Sequence, residues 1–539
     1  STQVLTLFPY TTLFRSRAAA LGERSADFFY NVGLAHLDRA DFESARAVLG
    51  EAATQQPRDA PIRYAQALAC HESLQPDAAL AALADWRNFD DLDQELLADI
   101  AQLLMNLGAN ADAEEALARL MLDPAPTLRA ALTIVQILER LNRMPQANAL
   151  LEKIVADQGA ANLGQELLMT RASMAQRNGD ADAARRLLVQ AVAGVREWPE
   201  RHRQLFPLAK ALDSLGRYDE ALEVLAEAHG SQAQYFAKAM PGIAIRGAPM
   251  MVITRLRSSA ADIAAWVHSG APSTADSPIF VVAYPRSGTT LLELTLDAHP
   301  LLRSMDEQPF IQNALEDLVA CGAKYPHELA GLTAAQLDDV RQKYWARVRK
   351  RVTLRPSQRL VDKNPLNILR LAVIRRLFPN AKIVLAVRHP FDVILSCYMQ
   401  HFRAPDFALI CRDLPSLAAA YAKTLDYWYA EAELLHPQVR EVRYETLVGQ
   451  FEPEVRALAE FLELPWNDAL LSPQQNAQRK GFISTPSYAQ VVKPVHSGSV
   501  DRWRRYAGAF EPLEPIVAGQ LERWGYATHK PANPASRDP

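Results

Sequence analysis

The segment Tyr284-Pro285-Arg286-Ser287-Gly288-Thr289-Thr290 packs a fixed cation, a glycine and a cluster of aliphatic hydroxyls into one short stretch. An apolar run at 279–283 precedes it, and apolar residues at 291, 292, 294 and 296 follow with helical spacing. Strand, tight loop and helix N-terminus make an anion cradle. Successive backbone N–H groups converge on the charge, and the helix dipole adds to them. Gly288 lets the backbone approach closely. Ser287, Thr289 and Thr290 bring hydroxyl donors, and Arg286 brings a fixed positive charge. The loop is not a Walker A sequence, which needs Gly-Lys before its hydroxyl residue; here Gly288 is followed by Thr289. A nucleoside triphosphate held through Mg²⁺ therefore has little support.

A second constellation begins at Arg359. Arg359-Leu360-Val361-Asp362-Lys363-Asn364-Pro365 leads into a helical stretch ending near Phe378, and a strand, 382–387, ends in Arg388-His389-Pro390. Pro390 suits the first turn of a helix that runs through Ser396. Arg388 at a strand end and Ser396 on the next helix can hold a second anion, since ligands of α/β sheets bind at the carboxyl ends of strands. Two anion sites on two βα units imply a ligand with phosphates at both ends.

The stretches PRSGTTLLELTLDAHP, DKNPLNILRLAVIRRLFPNAKIVLAVRHPFDVILS, VRYETLV and QVVKPV occur in that order. Together they resemble sulfotransferases that use 3′-phosphoadenosine 5′-phosphosulfate (PAPS). The likeness is greatest to protein-tyrosine sulfotransferases and to bacterial proteins that carry tetratricopeptide repeats ahead of such a domain. The resemblance implies roles. Arg286 to Thr290 hold the 5′-phosphosulfate, and Arg388 and Ser396 the 3′-phosphate. Tyr444 contacts the nucleotide, and Ser487 and Lys493 lie in a late loop that closes over it, Ser487 counting among the catalytic residues as well, with Ser484 a rival to Ser487. Glu307 matches the general base, and Lys363 a lysine that stabilises the transition state. Gln308-Pro309 stands where the tyrosine enzymes have Thr-Arg, and Gln400 where they have a further arginine; both departures bear on the acceptor and leave the nucleotide site intact.

These residue types suit sulfuryl transfer. Positioning and charge stabilisation carry most of an in-line displacement, and a carboxylate within about 3 Å can take the acceptor proton. The scheme needs no metal. Asp306 is the neighbour and rival of Glu307. His299 and His389 flank prolines at helix boundaries and read as structural. Arg502, Arg504 and Arg505 around Trp503 form a basic cluster that either reaches the 3′-phosphate or faces solvent.

The elements that position this chemistry belong to a chain of 539 residues with an uneven composition. Ala45, Ala79, Ala113 and Ala147 recur every 34 residues, and Ala184 and Ala221 follow at 37. Each has a leucine four residues later: Leu49, Leu83, Leu117, Leu151, Leu188 and Leu225. A 34-residue period with small residues at fixed places is that of tetratricopeptide helix pairs. The small residue sits where helices cross, and each pair buries its apolar face only against neighbours. The expected fold is therefore multidomain: an all-α tetratricopeptide solenoid over 26–232, a connector over 233–276, and an α/β, P-loop-like sulfotransferase domain with a mostly parallel sheet over 277–530. The solenoid is expected to bind the acceptor, as a peptide or protein, or another partner. Trp86 and Tyr64 are candidates for its concave face, with core packing the simpler role.

Composition limits the alternatives. The net charge is −4 with 49% hydrophobic and 22% charged residues, so a generally basic nucleic-acid binder is excluded. The cysteines form no CxxC pair, and no metal site or disulfide framework is expected. No apolar run reaches about 18 residues, so no membrane span is expected; the expected location is cytoplasmic, an expectation that the non-native start weakens. A homo-oligomer is compatible with the array. Thr6 to Ser16, TLFPYTTLFRS, resembles a translated sequencing adapter, so residues 1–16 are expected to be non-native. The Pro-rich segment 531–539 is expected to be a disordered tail. The competing functions are an inactive scaffold that keeps a nucleotide fold, against which the intact Arg286, Glu307 and Lys363 speak, and a P-loop kinase, against which the missing Gly-Lys speaks.

Overall fold

The computed structural model describes residues 24–39, 41–73, 75–158, 164–195, 201–239, 249–267, 270–305, 307–402, 404–480 and 495–526. Residues 1–16, the 531–539 tail, Asp306, Ser484, Ser487 and Lys493 lie outside them. The chain divides into two compact units: Ser1–Ala211 with Gln234–Gly242, and Leu212–Ala233 with Ile243–Pro539.

The first unit is built of helix pairs. They are Ala26–Asp38 with Phe42–Gln55, Ala60–Glu72 with Pro76–Leu83, Gln94–Asn106 with Asn110–Met121, Leu128–Arg140 with Met144–Gln158, and Gln165–Arg177 with Ala181–Gly194. Arg201–Ser214 and Tyr218–Ala239 continue the pattern in sequence, with residues 212–233 belonging to the second unit. The first helices start at 26, 60, 94 and 128, so the 34-residue period is the period of the helix pair. Many starts are fixed by side-chain caps: Ser25, Asp41, Asp59, Asp93, Thr127 and Asp180 each accept a backbone N–H from the first turn. Ala45, Ala79, Ala113, Ala147, Ala184 and Ala221 each occupy the fourth position of a second helix and have no exposed surface. A Cβ on Gly33 would lie 2.4 Å from Leu49 Cγ, so the crossing of the first pair depends on the missing side chain. The leucines that follow the alanines are buried, except that Leu151 is half-buried. Trp86 is buried in a 3₁₀ turn, with the Arg87 and Arg119 guanidiniums over its ring at 4.8 and 5.4 Å. It therefore packs rather than presents a surface. Tyr64 is half-buried, and burial raises its phenol above the ordinary value.

The second unit carries a sheet of five parallel strands: β1 (Ile279–Ala283), β2 (Leu302–Ser304), β3 (Arg359–Lys363), β4 (Lys382–Val387) and β5 (Gln438–Arg443). Their order is β2-β3-β1-β4-β5. β1 and β4 are buried along their whole length, as strands covered on both faces should be. β5 is an edge strand and half exposed. One face of the sheet packs Ile279, Val281 and Ala283 against Leu292 and Leu296 of the Thr289–Asp297 helix, with Val442, Leu458 and Leu462. The parallel order brings the carboxyl ends of β1, β3 and β4 together. Lys363 ends β3 opposite Val281, and Arg388 follows β4 next to the loop that leaves β1. Among the described residues, no helix is long and apolar enough to cross a membrane.

Candidate active site

β1 leads into the loop Tyr284–Gly288, and Gly288 caps the Thr289–Asp297 helix. Arg286 and Gly288 both have left-handed backbones, φ 73° and 92°. A Cβ at Gly288 would lie 2.5 Å from Tyr444 Cδ2, so the tyrosine ring rests directly on the loop. This close approach requires glycine on both grounds. Ser287 Oγ donates to the Tyr284 carbonyl at 2.8 Å, so its proton closes the turn. Thr289 and Thr290 are buried in the first turn of the helix.

Arg286, Arg388, Ser396 and Tyr444 come together. Arg286 Nε donates to Ser396 Oγ at 3.1 Å. Arg388 Nη1 donates to the Arg286 carbonyl at 3.3 Å, and Nη2 to the Ser499 carbonyl. The Arg388 guanidinium stands over the Tyr444 ring, 4.7 Å from its centroid. Arg388 is 7% exposed, and its Nε has no hydrogen-bond partner among the described residues. Burial pushes the Arg286 guanidinium below the ordinary arginine value; Cys397 opposes this and Arg388 adds to it. Two neighbouring guanidiniums, one with an unused buried donor, suit an anion that would relieve both. Asp392 anchors the later chain here. Its carboxylate accepts the Asp501 and Trp503 N–H groups, each at 2.9 Å, and lies 3.7 Å from Arg388 Nη2.

Glu307 and Lys363 also meet. Lys363 is wholly buried, with Nζ 2.8 Å from Glu307 Oε1 and 2.9 Å from Glu293 Oε2. Burial alone would lower the lysine, but the two carboxylates outweigh it and hold the ammonium above its ordinary value. Asn364 Nδ2 donates to the Gln308 carbonyl at 2.9 Å and so ties the Glu307 loop to the end of β3. Next to Lys363, Asp362 turns away from it. Its carboxyl accepts Tyr344 Oη at 2.7 Å and Asn367 Nδ2 at 3.3 Å, and burial lifts it to about 7.

The rivals for these roles have other partners. His299 Nε2 pairs with the Pro465 carbonyl at 2.9 Å, and its Nδ1 accepts the Leu301 N–H. His389 Nδ1 accepts the Phe391 N–H while its ring stacks on Trp503. Both histidines brace turns. Arg502 pairs with Asp213 and Arg504 with Asp501, while Arg505 is exposed. Sequence reasoning missed Glu293 and Asp392. The available signal at Glu293 was a carboxylate set inside the apolar run Leu291-Leu292-Glu293-Leu294.

Residues 278–468 match the profile described as "Sulfotransferase family". The chain is 30% identical over 282 residues to protein-tyrosine sulfotransferase 1 of Danio rerio, covering 48% of this chain and 76% of that one. It is 31% identical over 282 residues to protein-tyrosine sulfotransferase 1 of Homo sapiens, covering 48% and 73%. It is also 31% identical over 329 residues to an uncharacterized protein of Aquifex aeolicus (strain VF5), with 58% of this chain matched but only 41% of that protein's length. The chain belongs to the sulfotransferase family.

Proposed function

We propose that the protein transfers a sulfuryl group from PAPS to an acceptor hydroxyl, with tyrosine in a peptide or protein as the first acceptor class to test. What supports this most is one arrangement. Arg286, Arg388 and Ser396 form a hydrogen-bonded cluster, rich in donors suited to an anion, at the ends of β1 and β4, beside the Lys363–Glu307 pair at the end of β3. The unused Arg388 Nε leaves a buried donor for a phosphate oxygen.

The donor supplies an activated sulfuryl group and a phosphate leaving group. The chain supplies the rest. The 286–290 loop would hold the 5′ end through backbone N–H groups and Arg286, and Arg388 with Ser396 would hold the 3′-phosphate. Tyr444 would pack on the nucleotide. Ser487 and Lys493 keep their proposed place in the closing loop, outside the described residues. Glu307 is half exposed and can reach an acceptor, whose proton it would take. Lys363 would place positive charge where the leaving oxygen develops negative charge. The helix-pair array would hold the acceptor or a protein partner.

The test is incubation with ³⁵S-labelled PAPS and peptide, glycan, lipid and small-phenol acceptors. The reading expects labelled product from at least one class, together with release of adenosine 3′,5′-bisphosphate. ATP turnover dependent on Mg²⁺, with no labelled product, would instead mark a kinase.

A further inference from the structure

Two carboxylates hold the Lys363 ammonium, and they differ in kind. Glu307 lies on the loop after β2 with its side chain 42% exposed, whereas the Glu293 side chain is 2% exposed. Glu293 gives one oxygen to Lys363 and the other to Ser304 Oγ. Ser304 is itself fixed, because its N–H donates to Asp297 Oδ1 at 2.6 Å. Asp297 in turn accepts Asn476 Nδ2 at 3.1 Å. The helix after the anion loop thus presents a rigid carboxylate to the lysine.

We propose that Glu293 is a positioning residue, the permanent counterion that holds Lys363 beside the anion loop while Glu307 is released to take the acceptor proton. The inference rests on the proposed sulfuryl transfer, which gives Lys363 and Glu307 separate tasks. A buried ammonium with Glu307 as its sole carboxylate partner would depend on the leaving phosphate alone for countercharge once Glu307 became protonated. With Glu293 present, the cluster of one cation and two carboxylates goes from net −1 to neutral in that step. Lysine carries three N–H donors, so two spent on carboxylates leave one for the leaving oxygen. Glu293 also has a cost: its charge beside the anion loop opposes phosphate binding.

The charged groups facing this site are Glu293 from the helix, Glu307 from the loop and Arg286 beyond Glu307, while Asp362 on the same strand points to the other face. Lys363 stands above its unfolded value. Its stabilising contribution is therefore complete below the ordinary lysine value and is lost as pH rises through the folded one. Removing Glu293 brings that loss to lower pH.

The experiment compares Glu293→Gln and Glu293→Asp with wild type in the full chain. Calorimetry gives the affinity for adenosine 3′,5′-bisphosphate, labelled donor gives kcat and KM from pH 6 to 10.5, and Tm is followed over the same range. For Glu293→Gln the expected bisphosphate affinity is equal or tighter, with kcat down about 10²-fold at little-changed KM. Wild type should show no lysine-linked loss of kcat or Tm up to pH 10.5, Glu293→Gln should bring that loss into the scanned range, and Glu293→Asp should remove it again. A Glu293→Gln variant as flat as wild type up to pH 10.5, or affinity and kcat lost together with a collapsed Tm in both variants, would overturn the role. Should the Gln variant not fold, Ser304→Ala keeps the charges but unfixes Glu293; it must lower kcat without moving the alkaline limb, and an unchanged kcat overturns the proposal. A wild type that transfers no sulfuryl group defeats the functional reading instead. In that case the Tm comparison alone decides Glu293, and equal alkaline loss in wild type and Glu293→Gln would refute the pairing.

Discussion

A methyl group added at Gly288 probes the loop at its tightest point. Gly288→Ala puts an L-residue at φ 92°, where the left-handed backbone costs about 1–2 kcal/mol. Its Cβ would also lie 2.5 Å from Tyr444 Cδ2, so the ring must retreat by about 1 Å to reach ordinary contact distance. Tyr444 carries the Arg388 guanidinium at 4.7 Å, a contact worth about 0.5–1 kcal/mol that moves with it. The sum is about 1.5–3 kcal/mol. Displacing Arg388 from a phosphate would cost about 1.5–3 kcal/mol of affinity, a loss of roughly 10- to 100-fold. Calorimetric titration with adenosine 3′,5′-bisphosphate and a denaturation midpoint measure the two parts. Gly331→Ala is the control, since a Cβ there meets nothing within 4 Å. A Gly288→Ala variant that keeps both wild-type affinity and wild-type midpoint would refute the close-approach argument.

Other substitutions test the remaining groups. Glu307→Gln should leave bisphosphate binding intact and lower kcat by about 10²–10⁴-fold, the range for a lost general base, read with labelled donor. Asp362 is lifted to about 7 by burial, so the folded protein retains its proton while the unfolded chain releases it near 4. Stability should therefore fall as pH rises from about 4 to 7, and Asp362→Asn should flatten that slope in denaturant titrations. Ala113→Leu would overpack a helix crossing with no exposed surface, at a cost of about 1–3 kcal/mol seen in the thermal transition. Leu151→Ala, at the half-buried position of the same series, should cost less than Leu117→Ala by the same measurement.

The sequence was legible where local chemistry is dense or repetition is regular. β1 and β4 stand out as unbroken apolar runs because both faces of each are covered. The alanine spacing reports helix crossings because a larger side chain cannot fit there. β3 is harder to read. Arg359, Asp362 and Lys363 look like a polar turn, and only tertiary partners such as Tyr344 and Glu293 make two of these charges tolerable inside a strand. β5 is a half-exposed edge strand without a clear apolar run, and β2 has only three residues. Glu293 escaped for a related reason. Its partner lies on β3, seventy residues away, and parallel pairing of β3 with β1 brings the two together. Asp392 is similar, because the N–H groups it holds come from Asp501 and Trp503.

The proposed function requires one nucleotide held at both ends, by the loop after β1 and by Arg388 with Ser396 after β4. Competitive calorimetry of adenosine 3′,5′-bisphosphate against adenosine 5′-monophosphate tests it directly. One saturable site is expected, preferring the bisphosphate by about tenfold or more, the worth of a charge-assisted contact, with the preference abolished in Arg388→Ala. Equal affinity for the two nucleotides in wild type, or an undiminished preference in Arg388→Ala, would contradict it.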